Sequence, residues 1–513
     1  MCIRDSRRVV RHTDARARAV MPPSIARTAF DASCSTRSTR RAPSRARSLR
    51  ARPDKSCVTS PRATAEPSSS SSPRRVVVLG GGFGGLYTAL RLDSLEWAGE
   101  TRPEITVVDR AEAFVFKPLL YELVNETLEP WEVAPTFEEL LKPTKVTHVK
   151  GEVVSFEPED RGTMRDGTPY STTGGSITLG DGTTLAYDYL VLALGTSTSD
   201  GGVAGARECA VALNTAEDAV RIAGVLGELE RAGRDARVAV IGGGLSGVEL
   251  ASVIAERLNG KSTNGVVDVI TPNKRVMATA PPGQREAALR VLEKARVNVV
   301  GGRVMRLDKV ANDEETVSTA SKITLADDDG TEGVETYDLV CWTVGQRAET
   351  PSDWPVATTP ARKIKTDATL RVNGHSRIYA VGDASSSSAE VMNADWDHLP
   401  STAQVAFQQA DYAAWNIWAS MNGRTELPFR YQHLGDMMVL GSLDAAVAFP
   451  VGDITLEGPA AAALRRLAYL YRMPTNEHRL KLGSKWIQDG IETFQKDPVG
   501  FLEDIRKSIP FAR

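Results

Sequence analysis

Two stretches of this chain share one layout: a β-branched run, glycines spaced G-x-G-x-x-G, and a segment of helical periodicity. The first, VVVLGGGFGGLYTA, carries Gly80, Gly82 and Gly85; the second, VAVIGGGLSGVELA, carries Gly242, Gly244 and Gly247. A short apolar run without polar alternation is the pattern of a strand buried on both faces, as in a parallel sheet. The first glycine permits a tight turn, the second lets the backbone approach a pyrophosphate, and the third lets helix pack on strand. The pyrophosphate then meets free N–H groups at the positive end of the helix. A lone triplet is also what a glycine-rich turn looks like. Here each triplet follows a strand pattern and opens a helix pattern, which is the context the fingerprint requires.

The surroundings of the two triplets repeat as well. Arg75–Leu79 and the strand pattern Glu104–Val108, ending in Asp109, make a βαβ unit. Residues 151–190 read as short strands with turns at Asp166-Gly167 and Asp181-Gly182, closing on YDYLVLALGTST, a strand that runs into Gly195. The second unit opens at Arg237, passes polar inserts near Asn312–Thr316 and Asp327–Gly330, and closes on YDLVCWTVGQR, which contains Gly345. This is an internal duplication of a whole domain. The chain then reaches RIYAVGDAS and returns to the first domain. The fold class expected is α/β: a two-dinucleotide-binding-domain flavoprotein with two nested Rossmann-like domains. The first nucleotide domain is expected at 74–200, the second at 201–345, the return to the first at 346–450, and C-terminal amphipathic helices at 451–513.

The copies differ where they would grip a ribose. Asp109 follows the first triplet at the spacing for hydrogen bonds to both hydroxyls of an adenosine ribose, which suits FAD or NAD. In the second copy, VVDVITPNKR, Asp268 falls too early and the strand ends on Thr271-Pro272-Asn273, followed by Lys274 and Arg275. A carboxylate there would repel a 2′-phosphate and a cation would attract it. The second site is therefore expected to accept NADPH, unless Lys274 and Arg275 are simply solvated turn residues. Two nucleotide sites in one nested fold point to electron transfer between a resident flavin and a diffusing nicotinamide.

Composition narrows the rest. A formal net charge of −3 gives no sign of nucleic-acid binding. No apolar run is long enough to cross a bilayer. The five cysteines, Cys2, Cys34, Cys57, Cys209 and Cys341, form no C-x-x-C and no zinc spacing, so no metal site is expected. Residues 1–73 are rich in Arg, Ser, Ala and Thr and poor in acids, the composition of an organelle transit peptide or of a disordered basic arm. The opening MCIRDS is unusual for a natural start. Near the other end, Leu464, Leu467, Ala468 and Tyr471 follow helical spacing beside Arg465, Arg466 and Arg472, up to Pro474. Leu482, Trp486, Ile487 and Ile491, then Phe501, Leu502, Ile505 and Ile509, make two more such stripes. They read as helices lying in a membrane interface, or as a core cover or homodimer contact.

Three further motifs, FKPLLYELV (Phe116–Val124), IYAVGDA (Ile378–Ala384) and STAQVAFQQA (Ser401–Ala410), make the chain resemble the type II NAD(P)H:quinone oxidoreductases from about Arg74 onward. With the leader it is most similar to the chloroplast and cyanobacterial branch that includes demethylphylloquinone reductase. The resemblance implies non-covalent FAD, hydride transfer from NADPH or NADH to it, and delivery of two electrons to a lipophilic membrane quinone, plastoquinone or a naphthoquinone. It implies an FAD site of Gly80, Gly82, Phe83, Gly85, Asp109, Lys117, Pro118, Leu119, Gly195, Gly382, Asp383, Ala403 and Gln404. The NAD(P)H site would comprise Gly242, Gly244, Gly247, Glu249, Asn273, Lys274, Arg275 and Gly345. Asp383 would bond a ribitol hydroxyl, with the following helix N-terminus facing the flavin; Gly382-Asp383 also reads as an ordinary turn with Asp383 as N-cap. The family's quinone signature A-Q-x-A-x-Q falls on Ala403–Gln408. Gln404 and Gln408, four apart, share a helix face and could present their amides to a quinone carbonyl. Glu249 would relay a proton to the reduced quinone, or merely favour a helix dipole. Lys117 stands where many relatives have Thr; it would stabilise a reduced flavin or point to solvent. The implied location is a chloroplast, peripheral on the thylakoid surface or on a plastoglobule.

Rival enzymes of the same fold fit less well. Disulfide reductases and sulfide:quinone oxidoreductases need cysteines at the flavin, and only Cys209 and Cys341 lie in the folded part. A reductase of a protein acceptor and a non-catalytic membrane redox sensor remain as alternatives.

Overall fold

In the computed structural model, each triplet sits between the central strand of a five-stranded parallel sheet and the helix that follows it. The structure describes residues 73–97, 102–233, 235–260, 265–310, 320–327, 329–387, 399–451, 454–496 and 498. The leader, the insert at 312–316 and the third apolar stripe at 501–509 lie outside them.

The first sheet has the strand order Ile378–Ala380, Tyr189–Leu192, Arg75–Leu79, Glu104–Asp109, Val146–Lys150. The second runs Val211–Ala212, Leu339–Trp342, Arg237–Ile241, Val266–Thr271, Val297–Gly301. In each, the strand after the triplet's helix and the closing YD-strand flank the central strand, so the duplication is visible in topology. The aspartates of the two YD pairs repeat one contact. Asp188 accepts the Arg75 N–H at 2.7 Å and Asp338 accepts the Arg237 N–H at 2.8 Å, each tying the start of its central strand. Each half also carries a three-stranded antiparallel sheet, 153–187 in the first and 303–337 in the second. The passes between halves lie together: Thr196–Thr198 pairs antiparallel with Gln346–Ala348. Valine and isoleucine fill the central strands, and Val76, Val78, Val238 and Val240 are fully buried, which is why the runs lack polar alternation.

Four helices position the site. α1 (Phe83–Ser94) follows the first triplet, and α2 (Leu120–Val124) follows a 3-10 turn at Lys117–Leu119. α3 (Leu245–Gly260) follows the second triplet and α4 (Ala403–Met421) carries the A-Q-x-A-x-Q residues.

The C-terminal region departs from the expectation of helices from residue 451. The strand Thr455–Glu457 completes a small antiparallel sheet with Asp436–Val439 and Ala445–Ala448. Only then do α5 (Pro459–Arg472) and α6 (Asn476–Lys496) follow. Pro474 lies just past the end of α5, where it cannot continue a helix. The apolar stripes also split between two faces. Ala461, Arg465, Tyr469 and Met473, four apart, are buried, while Leu464, Leu467 and Tyr471 are exposed. In α6, Leu482 is buried and Trp486 packs against the core, its indole N–H donating to Glu132 at 3.1 Å; Leu480, Ile487 and Ile491 face outward. Arg465, expected as a surface cation, is instead a buried partner of Glu122.

Candidate active site: two nucleotide cradles and the acid between them

The glycines of each triplet have different reasons to be glycine. Gly80 lies at φ +100°, and a Cβ there would sit 2.3 Å from the Ala193 carbonyl oxygen. A Cβ on Gly85 would meet the Gly80 carbonyl oxygen at 1.8 Å, and one on Gly247 the Gly242 carbonyl oxygen at 1.9 Å. These positions serve turn and packing. Gly82 and Gly244 have nothing within 4 Å of where a Cβ would stand. The chain itself does not require glycine there, whereas a pyrophosphate lying against the backbone does. No side chain caps α1, so its first N–H groups are not taken by a capping oxygen. Gly195 and Gly345, the corresponding glycines after the two YD-strands, both have positive φ, +71° and +74°.

Asp109 ends its strand beside the first triplet, accepting N–H bonds from Gly81 at 2.6 Å and Ala111 at 2.8 Å. Phe83 packs edge-on against Phe114 and Phe116, each at 5.2 Å between centroids. Lys117 and Pro118 lie in the 3-10 turn with buried Leu119. Lys117 is exposed and its charge acts on Asp383.

At the second cradle, Asn273, Lys274 and Arg275 are exposed on the turn that leaves the strand Val266–Thr271. Asp268 is structural. It is buried, accepts the Tyr337 hydroxyl at 2.9 Å and the Asn298 amide at 2.8 Å, and faces Arg237 at 3.4 Å.

Asp383 is not a helix N-cap. It lies inside a 3-10 turn, Gly382–Ala384, that leads into the strand Ser385–Ser387; the cap of α4 is Thr402, which accepts from Val405 N. Asp383 faces the Thr196 hydroxyl at 3.4 Å, and burial holds its carboxyl above the usual range. The neighbouring Gly382 N–H donates to Gln409 Oε1 at 2.6 Å. Gln409 was not among the expected residues; it is buried, next in sequence to Gln408, and pins the turn to α4.

Ala403 opens α4, and Gln404 and Gln408 share one face, as four-residue spacing requires. In this structure their amides grip one loop. Gln404 Oε1 accepts the Leu434 N–H and the Tyr431 hydroxyl, each at 2.8 Å, and its Nε2 donates to Gly435 O at 3.0 Å. Gln408 exchanges two bonds with the Gln432 backbone, at 2.8 and 3.0 Å.

Glu249, five residues into α3, is buried at a junction. Its Oε1 accepts the Val439 N–H at 2.9 Å, and the Tyr121 hydroxyl from α2 also reaches it. Burial pushes its carboxyl up to about 7, although the Val439 N–H, Arg465 and Tyr121 all pull the other way. Ser246 also acts on the Tyr121 hydroxyl, so the polar groups at the head of α3 face the FKPLLYELV segment.

A model of the family "Pyridine nucleotide-disulphide oxidoreductase" matches residues 74–410. The chain is 43% identical over 423 residues to alternative NAD(P)H-ubiquinone oxidoreductase C1, chloroplastic/mitochondrial, of Arabidopsis thaliana, covering 80% of each protein. It is 39% identical over 417 residues to a demethylphylloquinone reductase of Synechocystis, covering 80% of this chain and 95% of that one. The chain belongs to the type II NAD(P)H:quinone oxidoreductases. A solved structure of NDH2 from Plasmodium falciparum in complex with NADH has the same fold, with TM-score 0.64 at 17% identity over 81% of this chain and 98% of that one.

Members of this family work with FAD and NAD(P)H. The two open glycines, the uncapped α1 and Asp109 fit the two nucleotides. Apart from Gln409, the residues not anticipated from sequence are Tyr121, Glu122, Arg465 and Tyr469. Glu122 had a local signal, being an acid inside the apolar run LLYELV; its partner lies 343 positions away. No described helix is long and apolar enough to cross a membrane.

Proposed function

We propose that this type II oxidoreductase takes hydride from NADPH in preference to NADH and reduces a lipophilic quinone, plastoquinone or a demethylphylloquinone-type naphthoquinone, at a membrane surface. Bound FAD supplies the two-electron step between nicotinamide and quinone. The chain's own residues do the rest. Gly242, Gly244 and Gly247 with the head of α3 hold one pyrophosphate; Gly80, Gly82 and Gly85 with α1 hold the other. Lys274 and Arg275, in place of a ribose-binding acid, favour the 2′-phosphate. Gln404 and Gln408 fix the loop 431–435 as a wall of the quinone pocket, with the second N–H of Gln404 available to a carbonyl. Glu249 holds the proton that the reduced quinone needs.

The observation that carries this reading is Glu249 itself. A carboxyl five residues into the nicotinamide-side helix, buried against the FKPLLYELV segment, can exchange a proton near neutral pH. The test is Glu249→Gln. NADPH should still bleach the flavin, and reoxidation by a quinone should lose its dependence on pH; a variant with an unaltered pH profile would remove Glu249 from the reaction.

Docking on the membrane is proposed for the outer faces of α5 and α6, where Leu464, Leu467, Tyr471, Leu480, Ile487 and Ile491 are exposed. The first relative is named as chloroplastic/mitochondrial, and the leader composition supports a chloroplast location for this chain. Pairing of two copies through the same faces is the competing use of that surface.

A further inference from the structure

Glu249 does not stand alone. A second carboxyl, Glu122 on α2, is buried nearby and acts on it. Two neighbouring buried carboxyls compete for one proton unless something assigns it. Arg465 is placed to do this. Its Nη1 lies 2.6 Å from Glu122 Oε1, its Nη2 donates to the Pro118 carbonyl at 2.8 Å, and its guanidinium lies over the Tyr469 ring at 4.7 Å.

We propose that Arg465, on the inner face of the C-terminal helix α5, is a positioning residue for Glu249: by engaging Glu122 in a buried ion pair it leaves Glu249 as the carboxyl that exchanges the proton. This assignment rests on the reading of Glu249 as the proton relay. The groups that act on Glu249 are Tyr121 and Glu122 from α2 and Arg465 and Tyr469 from α5, while the strand Asp436–Val439 offers it only a backbone N–H. Among these groups the cation is Arg465. Stability alone is a weak reason for the pair, since apolar replacements of buried ion pairs are often as stable. The pair is also incompletely satisfied, because Glu122 Oε2 and Arg465 Nε are buried without a hydrogen-bond partner. Anchoring at Pro118 places the cation against the turn of the FKPLLYELV segment.

The two charges push Glu249 in opposite directions. Loss of Arg465 must raise its proton affinity and loss of the Glu122 charge must lower it. The test is an infrared pH titration of the FAD-bound protein, following the protonated-carboxyl band that disappears in Glu249→Gln. Stopped-flow reoxidation of the flavin by menadione is followed in parallel. Arg465→Met should move the midpoint up by about one pH unit, Glu122→Gln should move it down by about as much, and the double variant should fall between. If Arg465→Met does not hold its fold, Glu122→Gln and the double variant still decide the matter. An unmoved midpoint in Arg465→Met, or a double variant whose midpoint equals that of Glu122→Gln, with the Glu249 band present, would overturn the role of Arg465 alone. A band and a reoxidation profile both unchanged in Glu249→Gln would overturn the Glu249 reading beneath it.

Discussion

Gly80 and Gly82 stand two residues apart and answer to different constraints. The first is fixed by its positive φ and by the Ala193 carbonyl, the second by open space. Gly82→Ala should therefore fold normally by circular dichroism yet purify with most of its FAD lost. Gly80→Ala should lower the melting temperature of the apoprotein as well. At the second cradle, Lys274→Ala with Arg275→Ala should raise KM for NADPH about tenfold, equivalent to roughly 1.4 kcal/mol, and leave KM for NADH nearly unchanged. Equal effects on both nucleotides would mean that the two cations are solvated turn residues. Glu249 adds a pH dependence to stability. Its carboxyl is raised to about 7. The native state therefore binds a proton more tightly than the unfolded chain does. That contribution is complete below the unfolded carboxylate range and is lost as pH rises to about 7. Glu249→Gln should flatten this part of the curve of melting temperature against pH.

One helix, α5, serves two environments, and its faces should respond differently to substitution. Its inner row joins a buried ion pair, and removing one partner of such a pair costs about 3–5 kcal/mol. Arg465→Ala should therefore unfold at markedly lower denaturant concentration. Leu464→Ser with Leu467→Ser and Ile487→Ser, all on exposed faces, should change stability little and abolish co-sedimentation with anionic lipid vesicles. Retained vesicle binding with a change in oligomeric state would assign the faces to a second copy of the chain. The sequence pattern already contained the outer stripe, because Leu464, Leu467 and Tyr471 follow the helical repeat. It could not show that Arg465 turns inward, since an arginine at that spacing reads equally as interface cation or buried partner. The deciding residue, Glu122, belongs to a different domain segment.

For the molecule as a whole, what could be read from sequence was what is local and repeated. Strand, triplet, helix and the closing YD-strand recur in one order, and each sheet places them alike because identical short-range constraints act twice. The distant convergence around Glu249 was not legible. Tyr121 and Val439 reach it and the charge of Arg465 acts on it, from three separate elements, and no periodicity connects them. The same holds for Gln404 and Gln408, whose shared face follows from spacing but whose loop, 431–435, follows only from the tertiary fold. The most direct test of the whole assembly is anaerobic stopped-flow spectroscopy of the purified protein. A nicotinamide-to-quinone oxidoreductase should show flavin absorbance bleached rapidly by NADPH, more slowly by NADH, and restored on adding menadione or decyl-ubiquinone. Flavin that NADPH bleaches but neither quinone restores would contradict a quinone acceptor and direct attention to a protein one; flavin that neither nucleotide bleaches would mark a non-catalytic redox sensor.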